Sequence, residues 1–167
     1  MKKLLFTLAS AVMLLSCGDD QKKDLSAQFD ELQKQHDSIE QMHSNFKSTH
    51  SAMSQRHDEF KAELAGMTVE DSTMLADVAK HEVLLKKHEA MLEGHDELFA
   101  AHKDLKQGFG EKSSVEMKAQ IEEMKKTHDQ LKTEHSKMEE EHQMMEQEHD
   151  EIVKKMLAED VEPEVEE

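Results

Sequence analysis

The chain has 167 residues, a formal charge of −17 and 35% charged side chains, and it lacks Trp and Tyr. So acidic a surface is repelled by nucleic acid and by anionic membrane faces, which excludes partners held by basic charge. A single cysteine excludes an internal disulfide framework. Five glycines and one proline, among plentiful Glu, Lys, Gln, Met, Leu, Ala and His, point to helices.

At the N-terminus, MKKLLFTLASAVMLLSC places Lys2 and Lys3 before an apolar run from Leu4 to Leu15. The run is too short to span a bilayer and has the proportions of a secretory signal. Its ending, Leu14-Leu15-Ser16-Cys17, resembles the lipobox of bacterial lipoproteins. That resemblance implies a signal peptide over 1–16, cleavage before Cys17, and a lipid anchor on the Cys17 sulfur and amine. Residues 17–23 would then be the lipidated cysteine and a short linker. Gly18 stands where an aspartate would mark inner-membrane retention in enterobacteria. The acidic residues after it resemble the export signal of some Bacteroidota surface lipoproteins. The resemblance thus implies an outer-membrane lipoprotein, facing the periplasm or the cell surface, with the membrane as a partner through Cys17. Loss of Lys2 and Lys3 takes the formal charge from −17 to −19.

The histidines carry the strongest pattern. His36, His43, His50 and His57 are spaced by seven, as are His81, His88, His95 and His102, and His128, His135, His142 and His149. These sets hold all 12 histidines. Chance agreement of this kind is roughly one in tens of millions, and seven is the heptad of helices that pack on helices. Between sets the phase resets twice, which predicts three helices and two turns.

In chain order, helix one is expected over 24–66, ending at Gly66. Helix two is expected over 69–107, behind a Thr68–Asp71 capping box, and is stopped by Gly108-Phe109-Gly110. Helix three is expected over 114–159, with Ser113 as N-cap and Glu116 reaching back. The acidic tail, 160–167, contains the only proline and reads as disordered. The fold class is all-α, a long antiparallel three-helix (up-down-up), coiled-coil-like bundle over 24–159.

With histidine at heptad position a, position d is always apolar. It holds Ile39, Phe46, Met53 and Phe60 in helix one, then Leu84, Met91, Leu98 and Leu105 in helix two. In helix three it holds Leu131, Met138, Met145 and Ile152. Outside the histidine runs, Phe29, Leu64, Met74, Ile121 and Met156 take position a, and Leu85, Leu92 and Phe99 widen the apolar face of helix two at e. Levelling the two turns gives a staggered register, with helix-three residues beside helix-one residues numbered 85 lower, so that His128 lies near His43. In this register the helix-two histidines are expected between, not within, the layers of the other two helices. A rival register matches the sets in order, His36 beside His128, and needs about seven more residues in the second turn.

Twelve buried imidazoles cost on the order of 1 kcal/mol each where unpartnered. Three roles offset that cost. Histidine can fix register, making the chain a lipid-anchored structural or interaction module of the envelope that self-associates or binds an envelope protein. This role is the leading expectation. The alternative is multi-site transition-metal binding or buffering by interhelical histidine layers, with zinc or copper as the ion. Histidines seven apart on one helix are about 10.5 Å apart, so every site must bridge helices. Methionine at d offers copper a thioether, or only fills the seam. Glu40, Glu139 and Glu146 form Glu-x-x-His elements like those of di-iron bundles, but a fourth helix is missing. The third role is a pH response, for which acidic residues directly follow seven histidines: Asp37, Asp58, Glu82, Glu89, Asp96, Asp129 and Asp150. An enzyme is not expected, because repetition distinguishes no single catalyst.

Overall fold

The computed structural model describes residues 13–66 and 72–159. Over these it is all-α. Helix α1 runs Met13–Ala65, α2 Ser72–Leu105 and α3 Ser114–Glu159, with a 3-10 turn at Phe109–Glu111. The helices pack on one another as a three-helix bundle, in two compact units. One unit is drawn from Met1–Gln41 and Asp96–Leu131, the other from Met42–His95 and Lys132–Glu167. The start of the signal segment, the Thr68–Asp71 cap, the acidic tail and the Cys17 side chain lie outside the described residues. Helix α1 already includes 17–23, the expected linker. Gln21, Lys22 and Lys23 are good helix formers, and Leu25 is already in the core.

The second unit shows the repeating construction. From one end to the other, His43, His50 and His57 of α1 meet His95, His88 and His81 of α2. Their α3 partners are His135, His142 and His149. Numbers fall along α2 and rise along α3, so the topology is up-down-up. Between these layers lie apolar ones, Phe46 with Leu92 and Met138, and Met53 with Leu85 and Met145. Phe60, Leu64, Met74, Val78 and Ile152 form an apolar cluster of their own. Each buried apolar side chain contributes about 1.5–3 kcal/mol, so an apolar layer offsets the polar layer beside it.

In α2 the core positions are a and e, not a and d. Leu85, Leu92 and Phe99 are buried, whereas Leu84, Met91, Leu98 and Leu105 are only partly so. Direction explains this correction. Three residues after a histidine on α1 is the level of three residues before the facing histidine on an antiparallel helix. That residue is four after the preceding α2 histidine. For the same reason the α2 histidines sit within the layers, contrary to the expectation that they fall between them.

The first unit corrects the register. His36, His102 and His128 share a layer, so the sets pair in order and the staggered register is wrong. The second connection is not a tight turn. Leu105 ends α2, yet α3 starts at Ser114, and residues 114–124 lie beyond the end of α2. There α1 and α3 supply Leu25, Phe29, Leu32, Met117, Ile121 and Met124, and Phe109 takes the place of a third helix. Its ring stacks on Phe29 with centroids 3.8 Å apart. Gly108, with φ of 73°, turns the chain to deliver it. The Gln120 amide donates to the Leu105 carbonyl (2.9 Å), satisfying the buried end of α2, and Lys112 donates to the Gln120 carbonyl. Ser113 and Glu116 form the reciprocal cap of α3. The Glu116 backbone N–H donates to Ser113 Oγ (3.3 Å), while the Ser113 N–H donates to the Glu116 carboxylate (2.8 Å).

Candidate metal centres

Every histidine of the three sets enters a layer of three, one from each helix. In each layer one ring nitrogen per residue lies within 4.8 Å of the other two. Three layers are fully buried, and only His149 in the fourth is partly exposed. Each histidine is thus held at a heptad a position by its own helix, and the layer is assembled by the antiparallel register.

Two layers of the second unit share one wiring, and the third shares part of it. In the middle layer His50 Nδ1 and His88 Nδ1 both face His142 Nε2, at 3.1 and 3.2 Å. In the next, His57 Nδ1 and His81 Nδ1 face His149 Nε2, at 3.2 and 3.1 Å. In the third, His43 Nδ1 lies 2.9 Å from His135 Nε2. The outer nitrogen of each α2 histidine donates to a glutamate of α3. His95 Nε2 donates to Glu134 (2.7 Å), His88 Nε2 to Glu141 (2.6 Å), and His81 Nε2 to Glu148. A carboxylate only accepts, so it fixes the proton on Nε2 and leaves the Nδ1 lone pair facing inward. Metal-binding histidines are oriented in this way by carboxylates.

Sequence reasoning missed these glutamates because it weighed the acids after each histidine rather than before it. Their signal was present, since Glu134, Glu141 and Glu148 each precede an α3 histidine at the same seven-residue spacing. The Glu-x-x-His glutamates stay out of the layers. Glu40 pairs with Lys103 and Glu146 with Arg56, while Glu139 lines the groove between α1 and α3.

Electrostatics favour neutral ligands. Burial pushes His50, His57 and His88 below the usual imidazole value, and takes His142 and His149 down to about 4. The neighbouring imidazoles add to the depression at His142 and His149. Burial raises the Glu141 carboxyl, but the His88 hydrogen bond, Lys87 and Lys137 outweigh it and hold the group below its ordinary value. Near neutral pH these rings are therefore uncharged donors beside an ionised carboxylate.

The single layer of the first unit is wired differently. His36 Nδ1 and His102 Nδ1 are 3.4 Å apart, and the His36 and His128 rings stack at 5.7 Å. Thr127 stands where the other layers have glutamate, and its hydroxyl donates to the Glu123 carbonyl (3.1 Å). Burial lowers both His36 and His102.

The donor set fits a metal ion. Ligand nitrogens at about 2.0–2.1 Å around tetrahedral zinc stand about 3.3 Å from one another. The hydrogen-bonded pairs here are 2.9–3.4 Å apart, and the three nitrogens of each layer lie within 4.8 Å of one another. Among the described residues the buried His95 Nδ1 has no hydrogen-bond partner, and it belongs to a layer whose other nitrogens already converge. Among the same residues no helix is long and apolar enough to cross a membrane. No family model, curated protein or solved structure matches the chain.

Proposed function

We propose that the chain is a multi-site carrier of zinc-like transition-metal ions, each held by three imidazoles, one from each helix. The observation that carries this reading is the repeated carboxylate–histidine pair, Glu134–His95, Glu141–His88 and Glu148–His81. A spacer needs buried histidines only to satisfy one another. It does not need their inner lone pairs oriented from outside three times over. His142 Nε2–H donates inward in the metal-free layer; moving that proton to Nδ1, which is buried without a partner among the described residues, frees Nε2 as the third ligand. Bound metal would supply the charge that these polar layers lack, and three protein ligands leave a coordination position open to water. Repetition suits capacity, as in sequestration or buffering. The lipobox-like Leu14-Leu15-Ser16-Cys17 supports attachment at the outer membrane, and a Cys17→Ala chain that still fractionates with membranes would remove that part.

Register specification by histidine is the second reading, favoured by His–His hydrogen bonds that already knit each layer. Zinc titration against a competing chelator separates the two. A carrier binds four ions per chain. A pure spacer binds only weakly, at its acidic surface, and is unaffected when His50, His88 and His142 are replaced by Leu.

A further inference from the structure

Three of the acids that directly follow a histidine, Asp58, Glu82 and Glu89, come from two different helices to the rim of one cavity. The cavity, of about 300 Å³, lies between α1 and α2 in the second unit, and both His50 and His57 line it. It has room for a cation with several waters, each water's share being about 30 Å³. His57 is 1% exposed and its Nε2 has no hydrogen-bond partner among the described residues. Its Nδ1 is turned to His149, so the unpartnered nitrogen is on the side of the ring away from the layer. Glu82 pairs with Lys61 (2.7 Å) and Lys86 (2.8 Å); Lys86 also lines the cavity, and with Asp58 and Glu89 beside Glu82 the lining as a whole stays net negative.

The groove on the other side of α1 makes the contrast. Its cavity, of about 370 Å³, is lined by Met42, Phe46 and Met53 and touches the layers only at His142. Arg56 spans it to Glu146 (2.5 Å), placing a guanidinium across its mouth. That groove also carries Glu139 and Glu146, but its walls are apolar and one histidine lines it, whereas on the α2 side two layers lie beneath the carboxylates.

We propose that the α1–α2 groove is the loading route for divalent cations, with Asp58 and Glu89 drawing a hydrated ion to the rim above the layers to which His50 and His57 belong. This rests on the metal-carrier reading. Charge at the mouth of a low-dielectric cleft acts on association rate, by factors of roughly 10 to 1,000, more than on final affinity.

The test is rapid-mixing zinc uptake by the full chain at low ionic strength, scored for both rate and final equivalents. An Asp58→Asn/Glu89→Gln chain is expected to load roughly tenfold more slowly and to reach the same equivalents. A Glu139→Gln/Glu146→Gln chain, which removes equal charge from the other groove, is expected to load at the original rate. Equal slowing of both variants, or of neither, overturns the route while leaving the carrier reading intact. No tight zinc uptake by the unsubstituted chain overturns both. Both variants change exposed carboxylates, and unchanged helicity confirms that each compares folded protein.

Discussion

The two units solve the same packing problem with different means. In the second, three histidine layers alternate with apolar layers, and an α3 glutamate orients the α2 histidine of every histidine layer. In the first, one histidine layer has threonine in the glutamate's place, and most of the core is a purely apolar cluster closed by Phe109. Histidine at a is therefore compatible with either arrangement. The α3 carboxylate behind the α2 histidine is what distinguishes the layers of the second unit from the single layer of the first.

The largest expected effect breaks the first unit at its plug. Phe109→Ala removes the ring stacked on Phe29 and should cost about 3–5 kcal/mol in chemical denaturation. Hydrogen exchange should localise the lost protection to helical segments of the first unit, with the layers of the second still protected. Loss spread evenly over both would show that the plug supports more than its own unit.

A smaller effect, of opposite sign, comes from the middle layer of the second unit. Replacing His50, His88 and His142 together by Leu should raise metal-free stability by about 1–4 kcal/mol, because polar groups give way to apolar packing. The same chain should bind one zinc ion fewer. A loss of stability would mean that the hydrogen-bonded imidazoles contribute more than the hydrophobic layer that replaces them.

The contrast between units is sharpened by exchanging its key residue. Glu141→Gln should weaken the middle site by about 10–100-fold, and Thr127→Glu should strengthen the single layer of the first unit. Competition titrations read both. Identical affinities in all four chains, original, single and paired variants, would leave the glutamates without a part in binding.

Much of this was legible in the sequence, and the failures are instructive. Seven-residue spacing placed every histidine at a, and the apolar residues between them named the core of α1 and α3. For α2 the same rule put Leu84, Met91 and Leu98 first, yet they pack at the margin of a core filled by Leu85, Leu92 and Phe99, which the sequence pattern marks only as widening the apolar face. A heptad written along one helix direction does not transfer to an antiparallel partner. The register failed because Phe109 looked like part of a stop signal, while burial of a loop aromatic is decided by a gap between helices that no local pattern reveals. The glutamates before the α3 histidines were visible but undistinguished among many acids, since only the crossing of α2 past α3 makes them matter.

A further effect is in pH. Burial holds His36, His50, His57, His88 and His102 below the ordinary value of 6.5 and His142 and His149 at about 4. Between these limits the unfolded chain binds more protons than the folded one, so stability rises with pH. The metal-free protein should be at full stability above the unfolded value and lose it as pH falls from about 6.5 toward 4. Denaturation midpoints at neutral and mildly acidic pH measure this, and midpoints that rise on acidification would reverse the sign.

The most direct measurement is X-ray absorption at the zinc edge of the loaded full chain. Three imidazole nitrogens at about 2.0–2.1 Å with one further light ligand are expected, with multiple-scattering features from the rings. A shell of carboxylate and water oxygens, without imidazole, would place the metal on the acidic surface and contradict binding within the histidine layers.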